Sequence, residues 1–340
     1  MHTTKKSKDE KLVVTVDLLS NMLWNGSAQQ KTFEQKKLKG FLQPTGTCND
    51  KQINCKFAVY DTRKITQELQ YSEYLERTVS VDVLTEIGHE LNKFDAAIHD
   101  VVCSFYVGEK TVFTAKMIAN MLSGPKNYKR TFSDKQLKLV SDSLDNMSKI
   151  NVLIDATEET AFKYGKKNLD PYQYNGPLLP LEETVLHIGG KDVPAYHLIK
   201  EACPPMLAYA TRKNQVRTSR FSNIQVGLPF TDENVTLVRY LYGELLAITS
   251  VSFKNRCHHM RVSRLISDVS RVSYINPKDS RRKRVFLDQV EKVLDYWEEI
   301  GLIKTSTWET EGNNIKRTII LELKEPVQNT GYKSKPKAGR

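Results

Sequence analysis

The sequence predicts an α+β protein in which one arrangement, three helices followed by a β-hairpin, occurs twice. Two observations predict this fold class. Apolar residues recur at three- and four-residue spacing, as on the buried face of a helix, in two separate sets of segments. Each set is followed by short strand-like runs on either side of a turn. The two halves therefore have the same predicted order of elements.

The first set of helices begins at Leu91, where an apolar stripe continues to Phe105 and Gly108 ends the helix. Thr114 and Ser133 are residue types that cap helix N-termini well, and each precedes an apolar pattern of helical period. The predicted helices are 91–107, 115–122 and 133–150, with a short strand at 111–113 before the second.

Prolines are frequent in the segment that follows, and each of them removes a backbone donor, so strands are expected there rather than long helices. The runs Asn151–Asp155, Leu181–Ile188 and Val193–Leu198 are predicted strands, and Gly189–Asp192 is a hairpin turn between the last two. The segment Ala161–Asn175 then becomes a long insertion between the strands of the hairpin.

The second set repeats this order. Thr231 and Ser263 are predicted N-caps of its first two helices, a short strand at 260–262 lies between them, and Asn276–Asp279 opens a long third helix. The predicted strands of the closing hairpin are 302–308 and 315–323.

The ends of the two third helices strengthen the duplication. Residues 145–153 match residues 295–303 position by position in their aspartate and apolar residues. Asn151 and Gly301 are the residue types that tolerate the left-handed conformation at a helix end. Three helices followed by a hairpin form the order of a winged helix-turn-helix module, so the predicted architecture is two such modules in tandem.

The predicted domain organisation follows from these patterns. Residues 1–80 are expected to be a loosely structured extension, 81–215 the first winged-helix module with the insertion 161–175, and 225–325 the second module. Residues 326–340 are expected to be a basic, disordered tail.

The net charge favours an anionic partner. The chain has 51 Lys and Arg against 40 Asp and Glu, a formal charge of +11, and such a field attracts polyanions, nucleic acid first among them. The five cysteines are odd in number and mostly scattered, which favours reduced thiols. No apolar run approaches the ~18–20 residues of a membrane span, and no segment resembles a signal peptide, so we expect a cytoplasmic protein without membrane contact.

The third helix of the second module is the predicted DNA-reading element. If its apolar stripe from Phe286 to Trp297 faces inward, Arg281, Arg284 and Lys292 face outward. Arg282 lies closer to the buried side, as does the next residue, but a long side chain in a first turn still reaches a phosphate. A solvated charge run is the alternative. The predicted DNA-binding residues of this module are Arg281, Arg282, Lys283, Arg284, Lys292, Lys278 and Arg264, with Lys304, Lys316 and Arg317 on the hairpin.

The first module is a poorer candidate for reading DNA. Its third helix has an outward face that mixes Lys135 and Lys138 with acidic residues, and the basic loop before it contains Lys129 and Arg130. These four cations are predicted auxiliary contacts. The insertion 161–175 interleaves aromatic residues with lysines, which suits stacking on nucleic acid, although ordinary loop packing is the alternative.

The motifs of catalysis and metal binding are missing from the sequence. Gly189-Gly190-Lys191 lacks the earlier glycine and the Ser or Thr of a phosphate-binding loop. His258 and His259 are adjacent, whereas nicking initiators separate the two histidines of their metal site by one residue. The cysteines lack the paired short spacing of zinc sites. We therefore expect no enzymatic activity, no metal and no cofactor.

The chain resembles the tandem winged-helix replication initiators of plasmids and integrative elements. The resemblance depends on the duplicated element order over residues 81–325, the basic start Arg281–Arg284, and the passages Phe94-Asp95-x-x-Ile98-His99-Asp100 and Asp295-Tyr296-Trp297. It implies that the second module binds repeated origin sequences in double-stranded DNA. It also implies that the first module contributes dimerisation and further DNA contacts, and that the bound protein recruits host replication proteins.

Two other functions remain open from the sequence. A transcriptional repressor would use the same fold without melting DNA. An interaction adaptor in replication or partition would use the basic face to bind an acidic protein.

Overall fold

The computed structural model describes residues 11–16, 20, 23–24, 53–61, 67–73, 78–80, 91–124, 131–156, 172–250, 257–263, 265–266, 269, 280–311 and 315–323. The architecture is mixed α+β, with helices and small antiparallel sheets. The helices are α1 (Lys93–Val107), α2 (Ala115–Ser123), α3 (Asp134–Lys149), α4 (Pro205–Arg212), α5 (Asp232–Ser250) and α6 (Ser280–Glu299). The strands are β1 (Lys11–Thr15), β2 (Ile53–Asp61), β3 (Gln67–Glu73), β4 (Thr78–Ser80), β5 (Val112–Phe113), β6 (Ile150–Asp155), β7 (Gln173–Pro177), β8 (Leu181–Ile188), β9 (Lys191–Leu198), β10 (Val216–Arg220), β11 (Cys257–Arg261), β12 (Ile303–Glu311) and β13 (Ile315–Leu323).

The first repeated unit consists of α1, β5, α2, α3, β8 and β9. Its three-stranded sheet has the order β5-β9-β8, so the short strand after α1 pairs with the last strand of the hairpin. The predicted helices of this unit are confirmed, and so are two of their caps. The Thr114 hydroxyl accepts a hydrogen bond from the Met117 amide, and Ser133 forms a capping box with Gln136.

The second repeated unit has the same connectivity. It consists of α5, β11, helical positions at 262–263, 265–266 and 269, α6, β12 and β13. Its sheet has the order β11-β13-β12, again with the first strand paired to the last. Thr231 caps α5 by accepting from the Asn234 amide at 3.2 Å, as predicted. The two units therefore share one topology.

The prediction of loose structure for residues 1–80 is wrong for the strands found there. β2, β3 and β4 form a five-stranded antiparallel sheet with β6 and β7, in the order β4-β3-β2-β6-β7. The run Asn151–Asp155, predicted as a strand of the hairpin, pairs instead with β2, and β7 overlaps the end of the predicted insertion. Phe57 is the register partner of Ile154 in this pairing, and no local pattern in either segment identifies a partner so distant in the chain.

The predicted left-handed residue at the end of α3 is also wrong. Asn151 is an ordinary strand residue; α3 ends at Lys149, and its C-cap Ile150 is already extended, with φ −82° and ψ 123°. β6 begins directly after the last residue of α3, so no residue in the left-handed conformation separates the helix from the strand. In the second unit the prediction is confirmed, since Gly301 has φ 70°.

An N-terminal segment packs on the first helix. β1 pairs antiparallel with β10, which lies in the connection between the two units. The Val13 amide donates to the Ser104 hydroxyl at 2.9 Å, and the buried Trp24 ring contacts the His99 ring at a centroid distance of 5.0 Å. This segment therefore joins the connection to α1.

The two units share one core. α1 packs against α5, and a continuous cluster of buried apolar residues runs from Ile98 of α1 through Leu241 of α5 to Trp297 of α6. Inside this contact Arg239 of α5 is paired with Asp100 of α1. The position of α6 relative to the first unit is thus set by packing, not by a free linker.

Candidate nucleic-acid interface

Helix α6 is oriented as its sequence predicts. Phe286, Val290, Val293 and Trp297 are at most 2% exposed and form the face that packs on the core. The opposite face carries the exposed cations Arg281, Arg284 and Lys292, together with Asp288.

Two hydrogen bonds fix the far end of α6. The Trp297 indole N–H donates to the carbonyl of Asn223 at 2.8 Å, and the Tyr296 hydroxyl donates to the carbonyl of Ser222 at 2.7 Å. Both acceptors belong to the connection between the two units. α6 is therefore held in one orientation, which is a requirement for a helix that presents side chains to a structured ligand.

The first turn of α6 concentrates positive charge. Arg281, Arg282 and Arg284 are exposed, Lys283 is half-buried, and this turn contains no acidic residue. The helix dipole adds a partial positive charge at the same end and opposes cations there by ~0.3–1 kcal/mol each. An anion bound at this turn would relieve that repulsion.

Glu233, at the start of α5, balances part of this charge. Burial and the neighbouring Asp232 raise the pKa of its carboxyl, while Arg282 acts in the opposite direction. The start of α5 thus lies close enough to the start of α6 for their charges to interact. The Arg282 guanidinium is therefore influenced by the Glu233 carboxylate.

The N-terminal end of α3 lies beside the same part of the molecule. The Gln136 side chain donates to the carbonyl of Phe230 at 2.7 Å, and the Phe132 ring meets the Phe230 ring edge-on at 5.5 Å. Phe230 directly precedes the start of α5. The third helices of both units therefore begin near residues 230–233, an arrangement that helical periodicity in the sequence does not reveal.

The outward face of α3 has the mixed charge that its sequence predicts. Lys135, Lys138 and Lys149 are exposed, and so is Asp142 among them. Asp145 is half-buried and accepts a hydrogen bond from the Tyr196 hydroxyl at 3.0 Å. Asp145 keeps its negative charge in this hydrogen bond, so the outward face of α3 stays mixed in charge.

One predicted cation on the hairpin of the second unit is paired within the protein. Lys304 is exposed, but its ammonium is paired with the Glu322 carboxylate at 2.5 Å. Lys316 and Arg317 lie on β13, and their side chains fall outside the described part of the structure. The predicted contacts Lys278, Arg264, Lys129 and Arg130 also lie outside the described residues.

The hairpin of the first unit is acidic and partly apolar. Val185 and Ile188 are 61% and 56% exposed. Asp192 pairs with His187 at 2.8 Å, and Glu182 lies 3.6 Å from His197. Acidic side chains repel phosphates, so the hairpin of the first unit is a poorer surface for DNA than the hairpin of the second unit.

The tyrosines at the end of the predicted insertion pack within the protein. The Tyr172 hydroxyl donates to the carbonyl of Pro205 at 2.9 Å, and the Tyr174 hydroxyl donates to the carbonyl of Pro177 at 2.7 Å. The Tyr172 ring is buried and is not available as a stacking platform, while Tyr174 is half-buried; this favours the loop-packing alternative for Tyr172. Residues 161–171 lie outside the described residues.

The described residues were also compared with the requirements of metal sites and of membrane-spanning helices. Among the residues whose positions are described, no three His, Cys, Asp or Glu side chains are grouped as a metal site requires. None of the described helices combines the length and apolar character that crossing a bilayer demands.

Comparisons with known proteins give matches among solved structures alone. No family model matches the chain. No curated protein matches it either. Domains 2 and 3 of RctB are similar over 83% of this chain and 94% of that chain, with 12% identity and a TM-score of 0.38. A selenomethionine derivative of the same two domains gives 11% identity and a TM-score of 0.34 over the same shares. The Pi initiator protein, crystallised in complex with iteron DNA, is similar over 63% of this chain and 81% of that chain, with 13% identity and a TM-score of 0.31.

Proposed function

We propose that this chain is a sequence-specific double-stranded DNA-binding protein built from two tandem winged helix-turn-helix modules. The observation that carries the proposal is the first turn of α6, where Arg281, Arg282 and Arg284 are exposed on a helix whose opposite face is buried. In a winged helix the start of the third helix enters the major groove, where arginine binds the O6 and N7 atoms of guanine bidentately.

The shared topology of the two units supports the winged-helix assignment. Each has a short strand after its first helix that pairs with the last strand of a C-terminal hairpin. The charge distribution supports a division of roles, in which α6 reads base edges and Lys135 and Lys138 of α3 hold phosphates. Since both helices begin beside residues 230–233, one duplex could contact both.

We further propose that the protein initiates replication of a plasmid or an integrative mobile element by binding origin repeats. Duplex DNA with repeats of the iteron kind is then the expected ligand. In this role the chain acts without catalysis and without a cofactor, as a homodimer at some stage, and host replication proteins join the bound complex in the cytoplasm.

Selection of bound fragments from the native replicon, followed by footprinting, tests this function. An initiator protects several short direct repeats next to its own reading frame. Protection of a single inverted repeat would instead indicate a transcriptional repressor of the same fold.

Salt dependence distinguishes DNA binding from an adaptor role. Affinity for nonspecific duplex should fall steeply as salt rises, because each neutralised phosphate releases counterions with a slope of about 0.9 per contact. An affinity for duplex that does not change with salt would contradict the proposal and favour an adaptor that binds an acidic protein.

A further inference from the structure

The outward face of α6 includes an exposed apolar side chain. Val285 is 51% exposed and is one of four large apolar side chains that are exposed among the described residues. Arg281 lies four residues before it and Lys292 seven residues after it, so the helical period places all three on the same side of α6. The basic face of the helix therefore carries an apolar contact surface as well as cations.

Local stability does not explain a valine at this position. Its branched Cβ restricts the side chain in a helix, and alanine, leucine and lysine are better helix formers. Single exposed apolar residues are common on protein surfaces, so the position of Val285 decides its interpretation. It directly follows the exposed Arg284. A ligand that binds the cations of this turn is then close enough to contact Val285.

The residue types on this face suit base edges better than phosphates. Neither the isopropyl group of Val285 nor the carboxylate of Asp288, which is also exposed, binds a phosphate. In the major groove both have a matching group, because thymine presents its C5-methyl group and cytosine presents an amino donor for a carboxylate. A thymine methyl is the apolar group that a duplex offers to a valine.

We propose that Val285 contacts the C5-methyl group of a thymine and makes one position of the DNA site specific for thymine. This inference rests on the proposed function, in which α6 enters the major groove. The contact removes two apolar groups from water and needs no hydrogen bond. The bonds of Trp297 and Tyr296 hold α6 in place, so Val285 is presented from a fixed helix. An apolar contact with a second protein is the alternative use of Val285, and it predicts no dependence on the thymine methyl.

Deoxyuridine tests the contact, because it pairs with adenine as thymine does and lacks only the methyl group. The full wild-type chain first selects its site from a duplex library with a randomised central segment. Each thymine of the selected duplex is then replaced in turn by deoxyuridine, and affinity is measured by equilibrium anisotropy. At one position the replacement should weaken wild-type binding about four-fold, as expected when one methyl group is no longer buried.

Two variants locate the effect. Val285→Ala should bind the thymine and deoxyuridine duplexes of that position with nearly equal affinity. Val185→Ala makes the same change at a valine that is 61% exposed on the hairpin of the first unit, and it should keep the wild-type ratio. Each ratio is measured within one protein, so a general change in affinity or stability cancels. Alanine is the better helix former at an exposed position, so Val285→Ala is expected to fold.

The outcomes separate this inference from the proposed function. A thymine-to-deoxyuridine ratio that stays at the wild-type value in Val285→Ala would overturn the inference, and so would a site in which no thymine methyl affects wild-type binding. Loss of the selected site by Arg281→Ala/Arg284→Ala in the same experiment would show that the proposed function still holds. If the wild-type chain enriches no sequence from the library, the proposed function fails, and this inference fails with it.

Discussion

Arg239 of α5 donates through Nε to Oδ2 of Asp100 on α1 across 2.6 Å, and both side chains are buried, at 8% and 2% exposure. The pair joins the first helices of the two units inside the molecule. Its desolvation is expensive, so the pair is expected to fix geometry more than to add stability.

Replacing only one partner of this pair should lower the free energy of unfolding more than replacing both partners. Asp100→Leu and Arg239→Met each leave a buried charge without its partner, and each should lower the free energy of unfolding by about 3–5 kcal/mol. The double variant Asp100→Leu/Arg239→Met should lose much less than the sum. Wild type, the two single variants and the double variant form a double-mutant cycle that urea unfolding measures. Additive losses of unfolding free energy would show that the two side chains act independently.

His99 and Asp100, which are neighbours on α1, should contribute to stability with opposite dependences on pH. Burial, with a smaller contribution from Arg239, lowers the pKa of His99 from 6.5 to about 3, so its contribution to stability is present above pH 6.5 and is lost as the pH falls. Burial raises the pKa of Asp100 from 3.8 to about 6, against the opposing effect of Arg239, so its contribution is present below pH 3.8 and is lost as the pH rises through 6.

The variant His99→Phe should therefore gain stability relative to wild type as the pH falls from 6.5 to 4, by up to about 1.4 kcal/mol per pH unit. Asp100→Asn should lose stability relative to wild type as the pH falls from 6 to 4. Urea unfolding at several pH values measures both differences. Profiles that stay parallel to wild type would mean that these groups titrate as they do in the unfolded chain.

The stability of the protein should depend on the Trp297 hydrogen bond at the C-terminal end of α6. Trp297→Phe removes the indole donor to the carbonyl of Asn223 and leaves space in a site that is 0% exposed. The expected loss of unfolding free energy is about 2–4 kcal/mol, from the hydrogen bond and the cavity together. Thermal and chemical unfolding check this value, and a loss below 1 kcal/mol would contradict the anchoring role of this bond.

Glu233 should weaken DNA binding in the wild-type protein. Glu233→Gln removes a negative charge beside Arg282, so affinity for duplex should rise about two- to five-fold at low salt, as expected for one exposed charge pair. Glu201→Gln, an exposed change after β9, is the matched control. Anisotropy titrations measure the duplex affinity of both variants. If both substitutions raise it equally, the effect comes from net charge alone and Glu233 has no local role.

Local signals in the sequence predicted much of the fold. The caps Thr114 and Ser133 fix where α2 and α3 begin, and the hairpin turn contains Gly189 and Gly190 at φ 58° and 77°. These features depend on residues a few positions apart, so one sequence suffices to detect them. The helical period also assigned the outward direction of Arg281 and Arg284 correctly.

Contacts between distant segments were missed. The pairing of β2 with β6, and the bond between Gln136 and Phe230, join segments whose own patterns show nothing of the partner. The Lys304–Glu322 pair, which lowers the availability of a predicted phosphate contact, is of the same kind. Arg282 is exposed although helical geometry placed it nearer the buried side.

Binding of the selected DNA site by the variant Arg281→Ala/Arg284→Ala tests the central claim most directly. The control Lys191→Ala/Lys200→Ala removes two exposed cations outside α6 and leaves the net charge equal to that of the variant. Each base contact contributes about 1–3 kcal/mol, so we predict that equilibrium anisotropy shows at least a ~30-fold loss for the α6 variant and a few-fold loss for the control. Equal affinities of the α6 variant and wild type for the site would contradict the assignment of α6 as the DNA-reading helix.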